Sequence, residues 1–265
     1  MRAAFNNILV PVDFSINTEI AVQKAIGLIG TANASIQLLH VVRIRKQTTP
    51  RGKYEIHEAE EKLMQWNAVL KDSLPDVEVT SRLEVSPSVQ PVIVQAARDF
   101  HSDLVIIGRQ GDRRRWPFFP TVSPDAIACK TDCPVLTAKP GSFHHKTRLI
   151  VVPVQDFVPE RRLELAVIIA RKFRAQIHLI LLQDGSGSPR REPSQAFIRT
   201  YHQLREKLHH PIEFSAVPLQ NAAKAALNYA ESVMADMILV NPEKHITDLL
   251  ARDSKIQVLE YGEGL

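Results

Sequence analysis

The sequence has only two cysteines, Cys129 and Cys133, among its 265 residues. Two cysteines cannot build a disulfide framework, and one CxxxC pair lacks the four ligands of a structural zinc site. We interpret both as small apolar packing residues. No apolar run approaches the roughly 18 residues of a membrane span, and Met1 to Asn7 form no hydrophobic signal segment. We therefore expect a soluble, cytoplasmic protein that makes no membrane contact.

A strong excess of one charge is also missing. The chain has 33 basic and 29 acidic residues, a net charge of +4 and a pI near 9.1. Arg113 to Arg115 form the one dense basic cluster. Nucleic-acid binding needs basic residues gathered on one face or an aromatic-basic motif, and neither is present, so we expect no nucleic-acid partner.

Enzyme signatures are absent as well. The sequence contains no G-x4-GK[ST] loop, no G-x-S-x-G turn and no SGG-type pyrophosphate loop. The histidine pairs His144-His145 and His209-His210 are unsuited to a metal, because adjacent side chains point in different directions. We expect no enzyme activity beyond slow ATP hydrolysis, for which no general base can be named.

Apolar runs and amphipathic segments alternate along the first half of the chain. The length favours two domains, and 45% hydrophobic residues are ample for their cores. The pattern predicts parallel strands alternating with helices, an α/β fold with right-handed crossovers. The predicted strands are Ile8–Val12, Ile36–Val42, Val77–Val85, Leu104–Ile107 and Cys133–Leu136; the predicted helices run from Ser15 or Asn17 to Gly30 and over Glu55–Leu70, Val89–Phe100 and Ser123–Lys130. Arg43 to Tyr54 lacks periodicity and predicts a loop.

Two features mark the carboxyl edge of this predicted sheet, where ligands of open α/β folds bind. Gly108 and Gly111 form a GxxG pair after a strand, either a tight turn with positive φ or a loop whose N–H groups approach a phosphate. Asp13 follows the first strand and is either a helix cap or a ligand-facing carboxylate. Position alone leaves both alternatives open.

The second half of the chain repeats the first. Val10-Pro11-Val12 recurs as Val152-Pro153-Val154, Ile36–Val42 has its counterpart in Ile177–Gln183, Asp103–Ile107 returns as Asp236–Val240, and Val135-Leu136 matches Val258-Leu259. Gln155 replaces Asp13, Asn241-Pro242 replaces Gly108-Arg109, and no GxxG follows. The second copy thus keeps the core pattern and loses the candidate site. Lys139 to Thr147 reads as a linker.

The PVDFS turn, LLHVV, the GxxG pair and CPVL, in this order, resemble the universal stress proteins. The resemblance extends over nearly the whole chain and implies a tandem form, with one such domain at 1–140 and a second, degenerate one at 147–265. It implies two tandem open parallel five-stranded sheets flanked by helices.

The nucleotide-binding branch of that family supplies the candidate site residues. There an aspartate after strand one faces adenine, and a loop G-x2-G-x9-G-[S/T] holds the phosphates. The resemblance implies adenine-side contacts at Pro11, Val12, Asp13 and Val41, and phosphate-side contacts at Gly108, Arg109, Gly111, Thr121, Val122 and Ser123. Thr121 and Val122 depart from the pattern, because they stand where the family has glycine and serine or threonine.

Two functions are compatible with the sequence. The first is a non-catalytic stress-response or signalling protein that binds ATP with Mg²⁺, or another adenine nucleotide, in its first domain. The second is a ligand-free interaction scaffold that has lost nucleotide binding. Arg113 to Arg115 read as a phosphate clamp or as a solvated turn. The aromatic run Trp116–Pro120 reads as a packed seam or as a contact patch for a protein partner or self-association.

Overall fold

The structure is a computed structural model that describes residues 5–30, 33–43, 50–108, 122–139, 147–184, 193–208, 211–219, 222–242 and 256–262. The chain divides into two compact units, Met1–Phe143 and His144–Leu265. No helix within the described ranges is both long enough and apolar enough to cross a bilayer.

The first unit is a parallel sheet with helices between its strands. Its elements are β1 (Asn7–Pro11), α1 (Ile16–Leu28), β2 (Ala34–Val42), α2 (Pro50–Ser73), β3 (Val77–Val85), α3 (Val89–Asp99), β4 (Leu104–Gly108), α4 (Pro124–Thr131) and β5 (Val135–Ala138). The strands lie in the order β3-β2-β1-β4-β5, and their described pairings are all parallel. β1 is therefore central, between β2 and β4.

The short apolar runs form strands because both faces of the sheet are covered. Ile8, Leu9 and Val10 of β1 are inaccessible to solvent, as are Leu104 to Ile106 of β4. One core cluster joins Leu9 and Val105 to the inner faces of α3 and α4. The α/β class and the parallel arrangement predicted from the sequence are confirmed.

The second unit repeats this order. Its elements are β6 (Leu149–Val154), α5 (Glu160–Phe173), β7 (Gln176–Asp184), α6 (Gln195–Lys207), β8 (Ile212–Leu219), α7 (Ala222–Ser232), β9 (Met237–Val240) and β10 (Gln257–Glu260). Its strands lie in the order β8-β7-β6-β9-β10, again with parallel pairings. β6 takes the central place that β1 has in the first unit.

A repeated aspartate closes the amino edge of each sheet. The Asp103 carboxylate accepts hydrogen bonds from the backbone N–H groups of Asn6 (2.9 Å) and Asn7 (3.1 Å), just before and at the start of β1. In the second unit, the Asp236 carboxylate accepts from the N–H groups of Arg148 (2.7 Å) and Leu149 (3.0 Å). The aspartate that immediately precedes each of these repeated strands therefore has a structural role, because its carboxylate accepts hydrogen bonds from backbone N–H groups at the amino end of the neighbouring strand.

Two predictions are wrong. The loop predicted for Arg43 to Tyr54 ends early, because α2 already begins at Pro50, where a proline suits the first turn of a helix. Cys133 packs in the core as predicted, and burial raises the pKa of its thiol. The packing role predicted for Cys129 is wrong, because Cys129 is exposed on the outer face of α4, beside the inward-facing Ile127 and Ala128.

Candidate functional site at the carboxyl edge of the first unit

Strand register brings the ends of β1, β2 and β4 together. Leu9 pairs with Val105, so continuing the same stagger puts Val12 level with Gly108. Pro11 pairs with Leu39, which puts Asp13 level with Val41. The sequence-predicted residues Pro11, Val12, Asp13, Val41 and Gly108 thus share one edge, the one at which open α/β sheets bind ligands.

The backbone of Val12 is bonded to β2 on both sides. Its N–H donates to the Leu39 carbonyl at 2.8 Å, and its carbonyl lies 2.8 Å from Nδ1 of His40. A carbonyl oxygen only accepts, so Nδ1 of His40 must carry the hydrogen. This contact fixes the neutral ring as the Nδ1–H tautomer and leaves Nε2 as the nitrogen that gains a proton.

Asp13 is exposed to solvent and orders the turn before α1. Its Oδ1 accepts a hydrogen bond from the Ser15 N–H at 3.0 Å. Ser15 is the N-cap residue of α1, yet its own hydroxyl makes no capping bond. The Asp13 carboxylate therefore supports the helix entry and still reaches solvent, so both sequence interpretations of this residue fit the geometry.

Phe14 anchors a cluster of four side chains beside Asp13. Its φ is +60°, a left-handed conformation that costs a non-glycine residue about 1–2 kcal/mol. Its ring centroid lies 4.6 Å from that of His40 and 5.5 Å from that of Trp66, and Nζ of Lys62 lies 5.8 Å from it. We call Phe14, His40, Lys62 and Trp66 the edge cluster. Its contacts offset the strained backbone and hold the turn that presents Asp13.

Burial lowers the pKa of His40, and the nearby Lys62 charge lowers it further. The hydrogen bond to the Val12 carbonyl and the Asp13 carboxylate act in the opposite direction. His40 is the functional candidate that sequence reasoning missed. The available signal was a polar side chain inside the apolar run of β2, between Leu39 and Val41.

Gly108 is required by packing. A Cβ atom there would lie 2.3 Å from the carbonyl oxygen of Asn17 and 2.8 Å from the N of Thr18, both backbone atoms of the first turn of α1. Its φ lies outside the left-handed range, so the positive-φ turn is not the reason for this glycine. The close approach of α1 is a sufficient structural reason for Gly108 at the end of β4.

Ser123 and Val122 make hydrogen bonds and packing contacts within the first unit. The Ser123 hydroxyl donates to the carboxylate of the buried Asp125, and its N–H donates to Oε1 of Gln90 at 3.1 Å. Val122 packs against the core between the sheet and helices α3 and α4. Ser123 is the N-cap residue of α4, and both its N–H and its hydroxyl already have hydrogen-bond partners within the chain.

Several predicted residues lie outside the described part of the chain. They are Arg109, Gly111 and Thr121 of the phosphate side, the run Arg113–Pro120, and the histidine pairs His144-His145 and His209-His210. Among the residues that are described, no group of three His, Cys, Asp or Glu side chains could hold a metal ion.

The corresponding edge of the second unit carries different chemistry. Arg162 of α5 is 4% exposed, and its Nη1 donates to the Pro153 carbonyl at 3.3 Å. The backbone carbonyl of Gln155, the counterpart of Asp13, accepts from the Ser194 hydroxyl at 3.4 Å. A buried guanidinium therefore lies at this edge of the second unit, and a neutral amide stands where the first unit has the Asp13 carboxylate.

The comparisons with known proteins agree with this architecture. A universal stress protein from Archaeoglobus fulgidus DSM 4304 aligns over 98% of this chain and 99% of its own, at 18% identity and a TM-score of 0.71. A protein of unknown function from Pseudomonas aeruginosa PAO1 aligns over 98% of this chain and 93% of its own, at 15% identity and a TM-score of 0.60. The cytoplasmic domain of a prokaryotic cation chloride cotransporter aligns over 97% of this chain and 96% of its own, at 13% identity and a TM-score of 0.51. At these identities the likeness shows the fold alone.

Sequence comparison identifies the family. No curated protein matches the chain significantly. The model of the universal stress protein family matches residues 4–139, half of the chain and nearly all of the first unit. That match includes strands β1 to β5 and the carboxyl edge described above, and the chain belongs to the universal stress protein family.

Proposed function

We propose that the chain is a non-catalytic stress-response protein that binds one adenine nucleotide at the carboxyl edge of its first unit. The observation that carries the proposal is the exposed Asp13 carboxylate at the end of central strand β1. It lies level with Val41 of β2 and one residue beyond the level of Gly108 of β4, at the edge where this class of sheet binds ligands.

Each group at the edge has a role in the proposal. The Asp13 carboxylate accepts a hydrogen bond from the exocyclic amine of adenine, and the half-buried Pro11 and Val41 offer apolar surface to the base. Gly108, Arg109, Gly111 and Thr121 form the phosphate side, with Mg²⁺ bound to the phosphates of ATP. The proposal assigns no general base, and it includes no hydrolysis step.

A ligand-free scaffold is the second candidate, and one observation favours it. The Ser123 hydroxyl and N–H are both bonded within the chain, and the partly buried Val122 packs against the core. Under this alternative, millimolar ATP leaves the free energy of unfolding unchanged. A chain that binds ATP with a Kd tenfold below the ligand concentration gains about 1.4 kcal/mol.

Isothermal titration with Mg-ATP tests the proposal after bound nucleotide has been removed and checked by chromatography. We expect saturable binding at one site per chain, and a loss of about tenfold or more in affinity for Asp13→Ala, because a hydrogen bond to a charged group is removed. Asp76→Ala is the matched control, since Asp76 is exposed and precedes β3 at the opposite edge of the sheet. Equal affinities for Asp13→Ala and the unaltered chain would exclude the adenine role of Asp13.

A further inference from the structure

We infer that His40 is a positioning residue of this site and makes nucleotide binding depend on pH. The inference rests on the proposed function, since it concerns how Asp13 is held and charged. The geometry behind it is the 2.8 Å contact between Nδ1 of His40 and the Val12 carbonyl.

That carbonyl belongs to the peptide group that joins Val12 to Asp13. A peptide group is planar, so a bond that fixes its oxygen also fixes the nitrogen of Asp13 on the other side. The Val12 N–H is already bonded to Leu39 at 2.8 Å. His40 therefore completes the support of the residue before Asp13, and without its ring one of the two hydrogen bonds described between Val12 and β2, the bond to Leu39, would remain.

Protonation changes the charge next to Asp13 and keeps the support. Nδ1 carries a hydrogen in both the neutral and the charged ring, so the bond to Val12 persists when Nε2 gains a proton. The charged groups that act on the ring are Asp13, at the end of β1, and Lys62 of α2. Phe14 of the edge cluster packs against the His40 ring, with the two ring centroids 4.6 Å apart.

A charged His40 draws on the same carboxylate that the ligand needs. Asp13 acts electrostatically on the His40 ring, and opposite charges at such range attract. A carboxylate engaged by a cation is a poorer acceptor for the amine of adenine. The affinity for the base should therefore fall as the pH drops through the titration of His40.

The experiment titrates adenosine into the full chain at about pH 7.5 and about pH 5, because burial lowers the pKa of His40 below the ordinary histidine value of about 6.5. Adenosine is the probe because it carries no phosphate charge, and circular dichroism verifies the fold at both pH values. We expect the unaltered chain to bind about fivefold more weakly at the lower pH, a typical coupling between two sites. His40→Asn, which keeps a donor near Nδ1 and cannot titrate, should bind equally at both pH values.

Two further variants separate positioning from charge. His40→Leu removes the donor and should bind about fivefold more weakly than the unaltered chain at the higher pH. His57→Asn is the control, because the His57 side chain is 71% exposed on α2, and it should keep the unaltered pH profile. A His40→Asn variant that retains the unaltered pH profile, or a His40→Leu variant with unaltered affinity, overturns the inference.

A measurement without ligand distinguishes the two failures. The ¹⁵N shifts of the His40 ring at neutral pH should report the Nδ1–H tautomer. An Nε2–H tautomer in a chain that binds adenosine would overturn the positioning role alone. If neither adenosine nor Mg-ATP binds the unaltered chain at the higher pH, the proposed function fails, and the pH coupling fails with it.

Discussion

Gly108 has no room for a side chain. We expect Gly108→Ala to destabilise the chain by about 1–3 kcal/mol, because its Cβ would meet backbone atoms of Asn17 and Thr18 that cannot rotate away. Gly27→Ala is the matched control: nothing lies within 4 Å of the added Cβ, and alanine in the helix should stabilise by up to about 1 kcal/mol. Urea unfolding of both variants measures the difference, and equal stabilities would contradict the packing account of Gly108.

His40 also links folding to pH. Its pKa in the folded chain is lowered, chiefly by burial, so below about pH 6.5 the unfolded chain binds the proton more readily. Stability attributable to His40 is complete above that pH and is lost as the pH falls toward the folded pKa. We expect the free energy of unfolding to fall less steeply between about pH 7 and pH 5 in His40→Asn. Identical slopes in the two proteins would mean that burial does not perturb this group.

At the scale of the elements, Asp103 and Asp236, which immediately precede β4 and β9, tie each sheet together at its amino edge. We expect Asp103→Ala to cost about 2 kcal/mol, because two N–H groups, those of Asn6 and Asn7, lose a charged acceptor. Asp236→Ala should cost a similar amount through Arg148 and Leu149. Urea unfolding checks both variants against Asp76→Ala, which should be neutral. A neutral Asp103→Ala would mean that water replaces the carboxylate at no cost.

The elements that could be predicted from the sequence are those with a local signal. Buried strands such as β1 and β4 appear in the sequence as short apolar runs. The alternation of these runs with amphipathic segments along the chain predicts the parallel topology. The start of α2 was not predicted, because its first turn, from Pro50, has the composition of a loop. This turn is nevertheless helical in the folded chain, where Gly52 is buried. Tertiary context decides such segments more often than propensity does.

The candidate site was predictable only for residues whose type and position after a strand already indicate a role. Asp13 and Gly108 were singled out by position, yet the reason for Gly108 lies in the backbone of α1, which no local pattern reveals. The edge cluster joins Phe14, His40 and Trp66, which are far apart in the sequence. Contacts of this kind depend on how α2 crosses the sheet, and spacing along the chain does not encode them.

At the scale of the whole molecule, two units of the same strand order differ in what stands at the carboxyl edge. The first presents Asp13 and Gly108, whereas the second has Gln155, Asn241 and the buried Arg162. A guanidinium only donates hydrogen bonds, and the neutral amide oxygen of Gln155 is a weaker acceptor for the amine of adenine than the Asp13 carboxylate. Under the proposed function, each chain therefore binds one nucleotide, at the first unit.

Hydrogen–deuterium exchange of the full chain, with and without Mg-ATP, tests this assignment most directly. Peptides that cover the end of β1 through the first turn of α1, and the end of β2, should exchange more slowly with ligand, because binding stabilises the backbone that it contacts. Peptides that cover Val154 to Arg162 should not change. Protection confined to the second unit, or none in either unit at saturating Mg-ATP, would contradict the central claim.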